Sequence, residues 1–484
     1  MENIASLEPQ IVWEIFDSIT KVPRPSTKEE QIVAWLMAFA TEHGLPVRSD
    51  SVGNVVITRP AAEGFESACR VTLQSHVDMV CEKDSDVEFN FERDAIRTRI
   101  VDGWVTAVGT TLGADCGIGM AAALAALIDP ELKRGELEAL FTVNEEIGLT
   151  GAKELGEGMI TGKYLINLDS EEEGEICIGC AGGVDTVATF SFKEESAPKD
   201  FTYYRIDVSG LKGGHSGEDI NKGRANANKL LARLLWECEA EYNMRLSYFH
   251  GGNLRNAIPR ESYAVFGIPT RHIVEFTMSF DSFVESVSEE FAVSEPSLQM
   301  ILSEMPQIDK VIDMEAQSGL LSSMLGVANG VIAMSMVMDN LVETSSNLAS
   351  VRFSEGNTIV VATSQRSSRE SGKVYAKNMV ESVFALAGAD VAHSDGYPGW
   401  TPNPESKLLD VICDCYRTQY GGAEPVVRAM HAGLECGLFL ENFPDLDMVS
   451  FGPTMEGVHS PEERLNIESV GRFWILLKEL LARV

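Results

Sequence analysis

The sequence predicts an α/β layered sheet interrupted by an inserted α+β domain of two similar halves. Three observations carry this. Over residues 1–186 amphipathic helix patterns alternate with short apolar runs; after residue 186 the order strand, glycine loop, long helix occurs twice; and the Gly, Pro and Asn cluster "SDGYPGWTPNPES" marks a crossing back to a segment that closes in a helix. The expected partition is a first domain made of 1–186 and 398–484 and an inserted domain of 187–397. A chain of 484 residues is too long for one ordinary core.

"PQIVWEIFDSITKV" spaces its apolar residues at helical intervals. "RPSTKEEQIVAWLMAFATEHG" reads as a second helix with Ser26 as N-cap, Glu29 three residues on and Gly44 as the stop. Strand-like runs follow at "NVVIT", "RVTLQSH", "LEALFTVNE", "KYLINLD" and "EICIGC", with the Ala-rich helix "ADCGIGMAAALAALI" between the second and third. In the inserted domain, "FTYYRIDVSGLKGGHSGEDINKGRANANKLLARLLWECEA" and "NTIVVATSQRSSRESGKVYAKNMVESVFALAGADV" are the segments read as repeats. The closing helix lines up Val470, Phe473, Trp474, Leu477 and Leu481 on one face.

Composition removes several function classes. The 39 basic residues against 73 acidic ones leave a net charge of −34, which repels nucleic acid and anionic membrane and favours solubility. No run approaches the roughly 18 apolar residues of a membrane span. "MENIASLEPQ" has neither the basic nor the apolar region of a secretory signal, so a cytoplasmic location is expected. Nine scattered cysteines, an odd number, fit reduced thiols better than a disulfide framework.

The chemistry collects at strand ends. His76 and Asp78 in "LQSHVDMV" lie two apart and share a strand face, where the carboxylate can orient the imidazole; alone, such a pair is more often an ordinary hydrogen-bonded one. Asp115 opens the Ala-rich helix, where a plain N-cap is the simpler reading. Gly113, Gly117 and Gly119 do not match a dinucleotide loop. Glu145 and Glu146 are adjacent at the end of "LFTVNEE" and repel one another unless a cation is near. Asp169 ends "YLINLD", before Glu171, Glu172 and Glu173, which read as a solvated turn. Groups at the carboxyl edge of an α/β sheet can converge. Converging carboxylates with an imidazole call for cations, and the mixed donor set suits zinc, cobalt or manganese better than calcium.

"SHVDMV", "GADCGIG", "NEEIGLTGA", "NLDSE", "GLKGGHSGEDI" and "GPTMEGVHSPEE", taken in order, resemble the dinuclear zinc exopeptidases of the aminoacylase and dipeptidase type, most closely their bacterial aminoacyl-histidine dipeptidase branch. The resemblance covers essentially the whole chain. It implies a zinc-exopeptidase sheet with helices on both faces, and a lid for the inserted domain. It implies two divalent cations per chain, zinc with cobalt or manganese as alternatives: one held by His76, Asp169 and a bridging Asp115, the other by Asp115, Glu146 and His459. Glu145 matches the family's general base and Asp78 its histidine-orienting carboxylate. His215 matches the donor to the substrate carbonyl, and Asn256 and Arg366 match the groups that hold the substrate carboxylate. The implied activity is hydrolysis of dipeptides, Xaa-His and broader, by water shared between the cations. The expected partner is a small peptide substrate; a homodimer remains open, because a doubled lid lets one chain supply both halves itself.

Two alternatives stay in play. An N-acyl amino acid hydrolase would share the metal site and differ at the amine end of the substrate. A non-catalytic metal-dependent binding protein is the other, against which Glu145 argues, since a purely structural zinc site needs no extra unligated carboxylate. Cys177 and Cys180 follow a strand and lack a second pair, so they read as buried thiols, and Cys413 and Cys415 have the wrong spacing for a metal pair. His431 reads either as support for the site, the favoured reading, or as a plain core histidine; His43, His250, His272 and His393 have no partner motif.

Overall fold

A computed structural model describes residues 3–484. The chain forms two compact units, one of Met1–Gly179, Trp400–Ala429 and Leu434–Val484, the other of Cys180–Gly399 and Met430–Gly433. The crossings therefore fall at 179 and 399, against the expected 186 and 397. The reason is local pairing: strand Gly182–Ser191 runs antiparallel to Thr358–Ser367 along its whole length, and the Ala181 N–H is taken by the carbonyls of Met430 and Ala432.

The first unit is built on an eight-stranded sheet in the order Val47–Ser49, Val55–Arg59, Leu137–Thr142, Val71–His76, Tyr164–Asn167, Asp447–Ser450, Glu175–Cys180, Val426–Met430. Its centre is parallel: Val71–His76 lies between Leu137–Thr142 and Tyr164–Asn167 and runs with both. All residues of these three strands are buried, which requires cover on both faces. Helix Ala114–Ile128, made almost wholly of Ala, Gly and Leu, packs on Val71–His76 and against helix Gln10–Ile19. Helices Lys407–Gln419 and Ile467–Leu481 form a second pair, the former on Asp447–Ser450. A separate four-stranded sheet joins Met455–Glu456, Arg464–Asn466, Trp104–Ala107 and Thr98–Val101.

Two local expectations are corrected. The second helix spans Glu30–Glu42, with Glu29 and not Ser26 at its N-cap. Thr27 turns the chain at a φ of +68° before the helix begins, and the Ser26 hydroxyl instead donates to Asp78 Oδ2 at 2.8 Å. Glu145 and Glu146 do not end a strand. The strand stops at Thr142, and Asn144, at a φ of +54°, leads into the one-turn helix Glu145–Gly148.

The second unit carries a nine-stranded antiparallel sheet. Its duplication is legible as two β-α-β-β-α-β halves. The inner half runs strand Phe201–Ser209, helix Ala227–Tyr242, strands Arg245–Gly251 and Ser262–Pro269, helix Ile273–Glu290 and strand Gln299–Met305. The outer half runs strand Gly182–Ser191, helix Met314–Gly326, strands Val342–Ser354 and Thr358–Ser367, helix Glu370–Leu386 and strand Asp390–His393. In each half the fourth strand lies beside the first, then the third, then the second, the split β-α-β order. The sequence reading matched Phe201–Ser209 to Thr358–Ser367, but these are the first strand of one half and the third of the other. The phase is hidden because the whole inner half is inserted between the outer half's first strand and its helix. Tyr204, Ile206, Phe249, Phe266 and Phe276 core the inner half, and Phe190, Val361, Val380 and Phe384 the outer. Among the described residues no helix is long and apolar enough to cross a membrane.

Candidate metal centre

The register of the parallel strands sets the site. His76 pairs with Thr142 and Gln74 with Asn167, so the chain just beyond each strand emerges at one carboxyl edge. His76 is 1% exposed. Its Nδ1 lies 3.2 Å from the Asp78 carbonyl oxygen and 3.3 Å from Asp78 Oδ1, so the Nδ1 proton has its acceptors there. Nε2 then points at two more acceptors, Asp115 Oδ1 at 3.1 Å and Asp169 Oδ1 at 3.3 Å. Two carboxylate oxygens and a nitrogen lone pair cannot face one another without a cation or a proton among them. Although complete burial opposes it, Asp169 and Asp115 pull the imidazole's pKa well above its ordinary value.

Asp115 divides its carboxylate between two imidazoles. Oδ1 faces His76, and Oδ2 lies 3.1 Å from His459 Nε2, which is also 3.2 Å from Glu146 Oε2. Hydrogen bonds from Asp115 and Glu146 push His459 up to about 11. Burial, with the charge of Asp115, pushes Asp169 up to about 6 despite His76. Asp115, Glu146 and His459 form one cluster of candidate ligand atoms, and His76, Asp169 and Cys116 another. Cys116 was not singled out from the sequence; its thiol donates to the Leu168 carbonyl at 3.4 Å, and burial keeps its pKa well above the ordinary thiol value.

These residues fit a pair of divalent cations on three counts. The donor set of imidazole nitrogen and carboxylate oxygen is the one zinc takes. Glu146 Oε1 is buried and makes no hydrogen bond within the protein, and buried Asp169 Oδ1 has only the His76 imidazole beside it, at 3.3 Å. Ligand atoms each about 2.0–2.2 Å from one tetrahedral ion lie about 3.3 Å apart, close to the separations at both clusters.

Asp78 does more than orient a ring. Its carboxylate also accepts the Glu145 N–H at 3.0 Å and the Glu146 N–H at 3.2 Å, so it fixes the one-turn helix that carries both glutamates. Against burial, the His76 hydrogen bond holds Asp78 down to about 2. Burial pushes the Glu145 carboxyl well above its ordinary value, with Asp169, Glu435 and Glu146 adding to the shift. That raises the affinity of the Glu145 carboxylate for a proton.

Beneath this edge runs a polar row missed by the sequence reading. Glu435, at 1% exposure, accepts from Gln74 Nε2 at 2.6 Å and Thr142 Oγ1 at 2.8 Å, and Gln74 Oε1 accepts from Asn167 Nδ2 at 2.6 Å. Burial pushes Glu435 up to about 8. Gln74, Thr142 and Asn167, polar groups in strands buried along their whole length, were the available signal.

The second unit brings His215, Arg366 and Tyr397 together. Arg366, 6% exposed, donates to Ser216 Oγ at 3.4 Å and to the Tyr397 hydroxyl oxygen at 3.0 Å, and its NH2 group lies 3.5 Å from His215 Nε2. None of these partners is a carboxylate. His215 Nδ1 accepts the Glu218 N–H at 3.1 Å, which leaves the proton on Nε2; burial, aided by Arg366, pushes its pKa down to about 4. The Tyr397 oxygen is an acceptor for Arg366, so its O–H remains a donor. Three donors from neutral or cationic groups thus meet at one place. Asn256 neighbours His215 through the pairing of Gly214–His215 with Ala257–Ile258 and a bond from the Ser216 N–H to its carbonyl, but its side chain is exposed. His431 also lies in this unit, its Nε2 at 2.7 Å from Ser345 Oγ; burial, then Arg366, lowers it to about 3.

Comparison with known proteins supplies the remaining context. A model of Peptidase family M20/M25/M40 matches residues 72–483. The cytosol non-specific dipeptidase of Escherichia coli (strain K12) is 40% identical over 484 residues, covering 100% of this chain and 99% of that one. The crystal structure of aminoacylhistidine dipeptidase from Vibrio alginolyticus superposes with a TM-score of 0.93 at 41% identity, covering 100% of this chain and 98% of that one. A tripeptidase from Staphylococcus aureus shares the fold, with a TM-score of 0.55 at 16% identity over 98% of each chain. With the family model reaching from the strand that ends in His76 through Asp169 to the hairpin that carries His459, the chain belongs to peptidase family M20/M25/M40 and is a peptide hydrolase.

Proposed function

We propose that the chain is a dipeptidase that works with two divalent cations held in its first unit, in the cytoplasm. One observation carries the reading: the two oxygens of Asp115 each approach a different imidazole, beside a buried Glu146 oxygen that has no hydrogen bond. His76, Asp169 and Asp115 hold one cation; Asp115, Glu146 and His459 hold the other. Zinc fits best, with cobalt and manganese able to use the same donors. Bound there, the cations would polarise the scissile carbonyl and acidify the attacking water.

The protein's own groups do the rest. Glu145, its affinity for a proton raised by burial, takes the proton of the attacking water and returns it to the leaving amine. Asp78 holds Glu145 and Glu146 in place through their N–H groups and holds His76 by its Nδ1 proton. In the second unit, His215, neutral at working pH, keeps its Nε2 proton as a donor for a carbonyl oxygen. Arg366, buried with no acidic partner among the described residues, suits a free carboxylate, with the Tyr397 hydroxyl as a further donor. The 40% identity to a dipeptidase over the full length supports the choice of substrate class.

The test compares free dipeptides, their C-terminal amides and N-acetyl amino acids on zinc-loaded protein. Stranding a buried guanidinium costs several kcal/mol, so amides should be cleaved at least about a hundredfold more slowly in kcat/KM. Arg366→Ala should erase most of that difference, and Tyr397→Phe should raise KM about tenfold, the loss of one hydrogen bond to a charged group. Equal rates for acids and amides would overturn the carboxylate clamp. Faster turnover of N-acetyl amino acids would make the protein an acyl amino acid hydrolase.

A further inference from the structure

His459 sits at the tip of a hairpin between strands Met455–Glu456 and Arg464–Asn466, whose base is anchored by the pairing of Arg464 with Thr106. The tip itself is lightly held. His459 has a φ of +63° and its side chain is 50% exposed. Four residues on, Glu463 is the reverse, 2% exposed and fully engaged. Its Oε2 accepts the N–H groups of Leu112 at 2.6 Å and Gly113 at 2.9 Å, and its Oε1 those of Ala114 at 2.7 Å and Asp115 at 3.4 Å. An ionised carboxylate has about four lone-pair sites. All four are used on the turn that delivers Asp115.

The same turn is gripped from its other side. Arg24, 2% exposed, donates to the carbonyls of Val77 at 2.9 Å, Asp78 at 2.8 Å, and Gly113. The Gly113 residue therefore has its N–H on Glu463 and its C=O on Arg24. Its φ of +70° and the Arg24 nitrogen 2.5 Å from where a Cβ would stand leave room for glycine alone. Asp115 itself lies outside helical geometry, at a φ of −81° and a ψ of +117°; its turn is held by Arg24 through Gly113 and by Glu463, and the His459 loop meets that turn through Glu463 as well as through the His459 imidazole at Asp115 Oδ2.

We propose that Glu463 is a positioning residue that latches the His459 loop to the Asp115 turn, so that the cation position of Asp115, Glu146 and His459 forms only with the latch closed. The inference rests on the two-cation reading given above. Glu463→Gln keeps the shape but sets an NH2 group against backbone N–H donors and removes half the acceptors. The first cation position, His76, Asp169 and Asp115, keeps the Arg24 clamp on Gly113 and the His76 contact to Asp115.

The experiment titrates the metal-free full chain with zinc against a competing chelator. The wild type should take up two ions. Glu463→Gln should take up one with unchanged affinity and bind the second 10–100-fold more weakly, the range for residues that orient ligands. His459→Ala should also retain one ion, and adding Glu463→Gln to it should leave that ion's affinity unchanged. Two ions at wild-type affinity in Glu463→Gln would overturn the latch. So would further weakening of the retained ion in the double variant, which would mark Glu463 as general scaffold. If Glu463→Gln does not fold, Glu463→Asp, which keeps the charge but falls one methylene short, is read by the same criteria. A wild type that binds fewer than two ions would sink the two-cation reading instead, whatever the variants do.

Discussion

At the residue scale, the assignment most open to direct attack is Glu145. Glu145→Gln preserves volume and removes the proton acceptor, so zinc content should stay at the wild-type value while kcat falls by 10²–10⁴, the usual contribution of a general base. Near-normal turnover in the zinc-replete variant would take Glu145 out of that role. His76, Asp115, Glu146, Asp169 and His459 were legible in the sequence because each is an acidic or imidazole group where an apolar pattern stops, or sits in a recognisable motif. Glu463, Arg24, Glu435 and Tyr397 were not. Their partners lie far off in sequence, 349 residues for Glu463 to the Ala114 N–H and 361 for Glu435 to Gln74. A buried Glu or Arg carries no local periodicity that separates it from a surface one. Ser26 shows the same limit from the other side: it satisfies the rule for a helix cap, yet its hydroxyl is used on Asp78.

At the element scale, helix Ala114–Ile128 owes its small residues to close approach as well as to helix propensity. A Cβ on Gly119 would stand 2.7 Å from the Leu168 carbonyl oxygen and 2.6 Å from Cys116 Sγ. Leu168 immediately precedes Asp169, so the helix and a proposed ligand share one fixed contact. Gly119→Ala should raise intrinsic helix propensity yet destabilise the fold by about 1–3 kcal/mol, as overpacking does. It should also weaken the cation at His76 and Asp169 more than the one at Glu146 and His459. Equal weakening of both, measured by chelator competition, would show that the contact does not position Asp169. Helices and central strands of the first unit were readable because their apolar runs are bounded by turn residues, whereas short strands such as Thr98–Val101 and Trp104–Ala107 carry no such run. The second unit's repeat was readable as a repeat but not in phase, since segments 182–191 and 314–326 of one half are split by the other half and nothing in either marks the join.

At the scale of the whole molecule, two compact units should respond to different solution variables. Chelation should lower the unfolding midpoint of the first unit, because a ligand lost from the native state withdraws its binding free energy. Acid should act on the second. The folded-state pKa of His431 is lowered to about 3 from an ordinary value near 6.5. The unfolded chain therefore binds the proton first, and stability falls as pH drops below about 6.5, the loss becoming complete only near 3. At pH 5 that single group costs about 2 kcal/mol. His431→Gln should shrink the difference between urea-unfolding free energies at pH 7 and pH 5 by about that amount, and an unchanged difference would refute the assignment. The sheet order of the first unit has a further consequence, for synthesis. Asp447–Ser450 lies between Tyr164–Asn167 and Glu175–Cys180, so two strands made early must wait for a strand made much later before the sheet can close. A growing chain emerges from its N-terminus, and one that stops short of residue 447 lacks both that central strand and the hairpin bearing His459. Such a chain has neither the closed sheet nor the proposed second cation position, so hydrolysis is expected only once both have emerged.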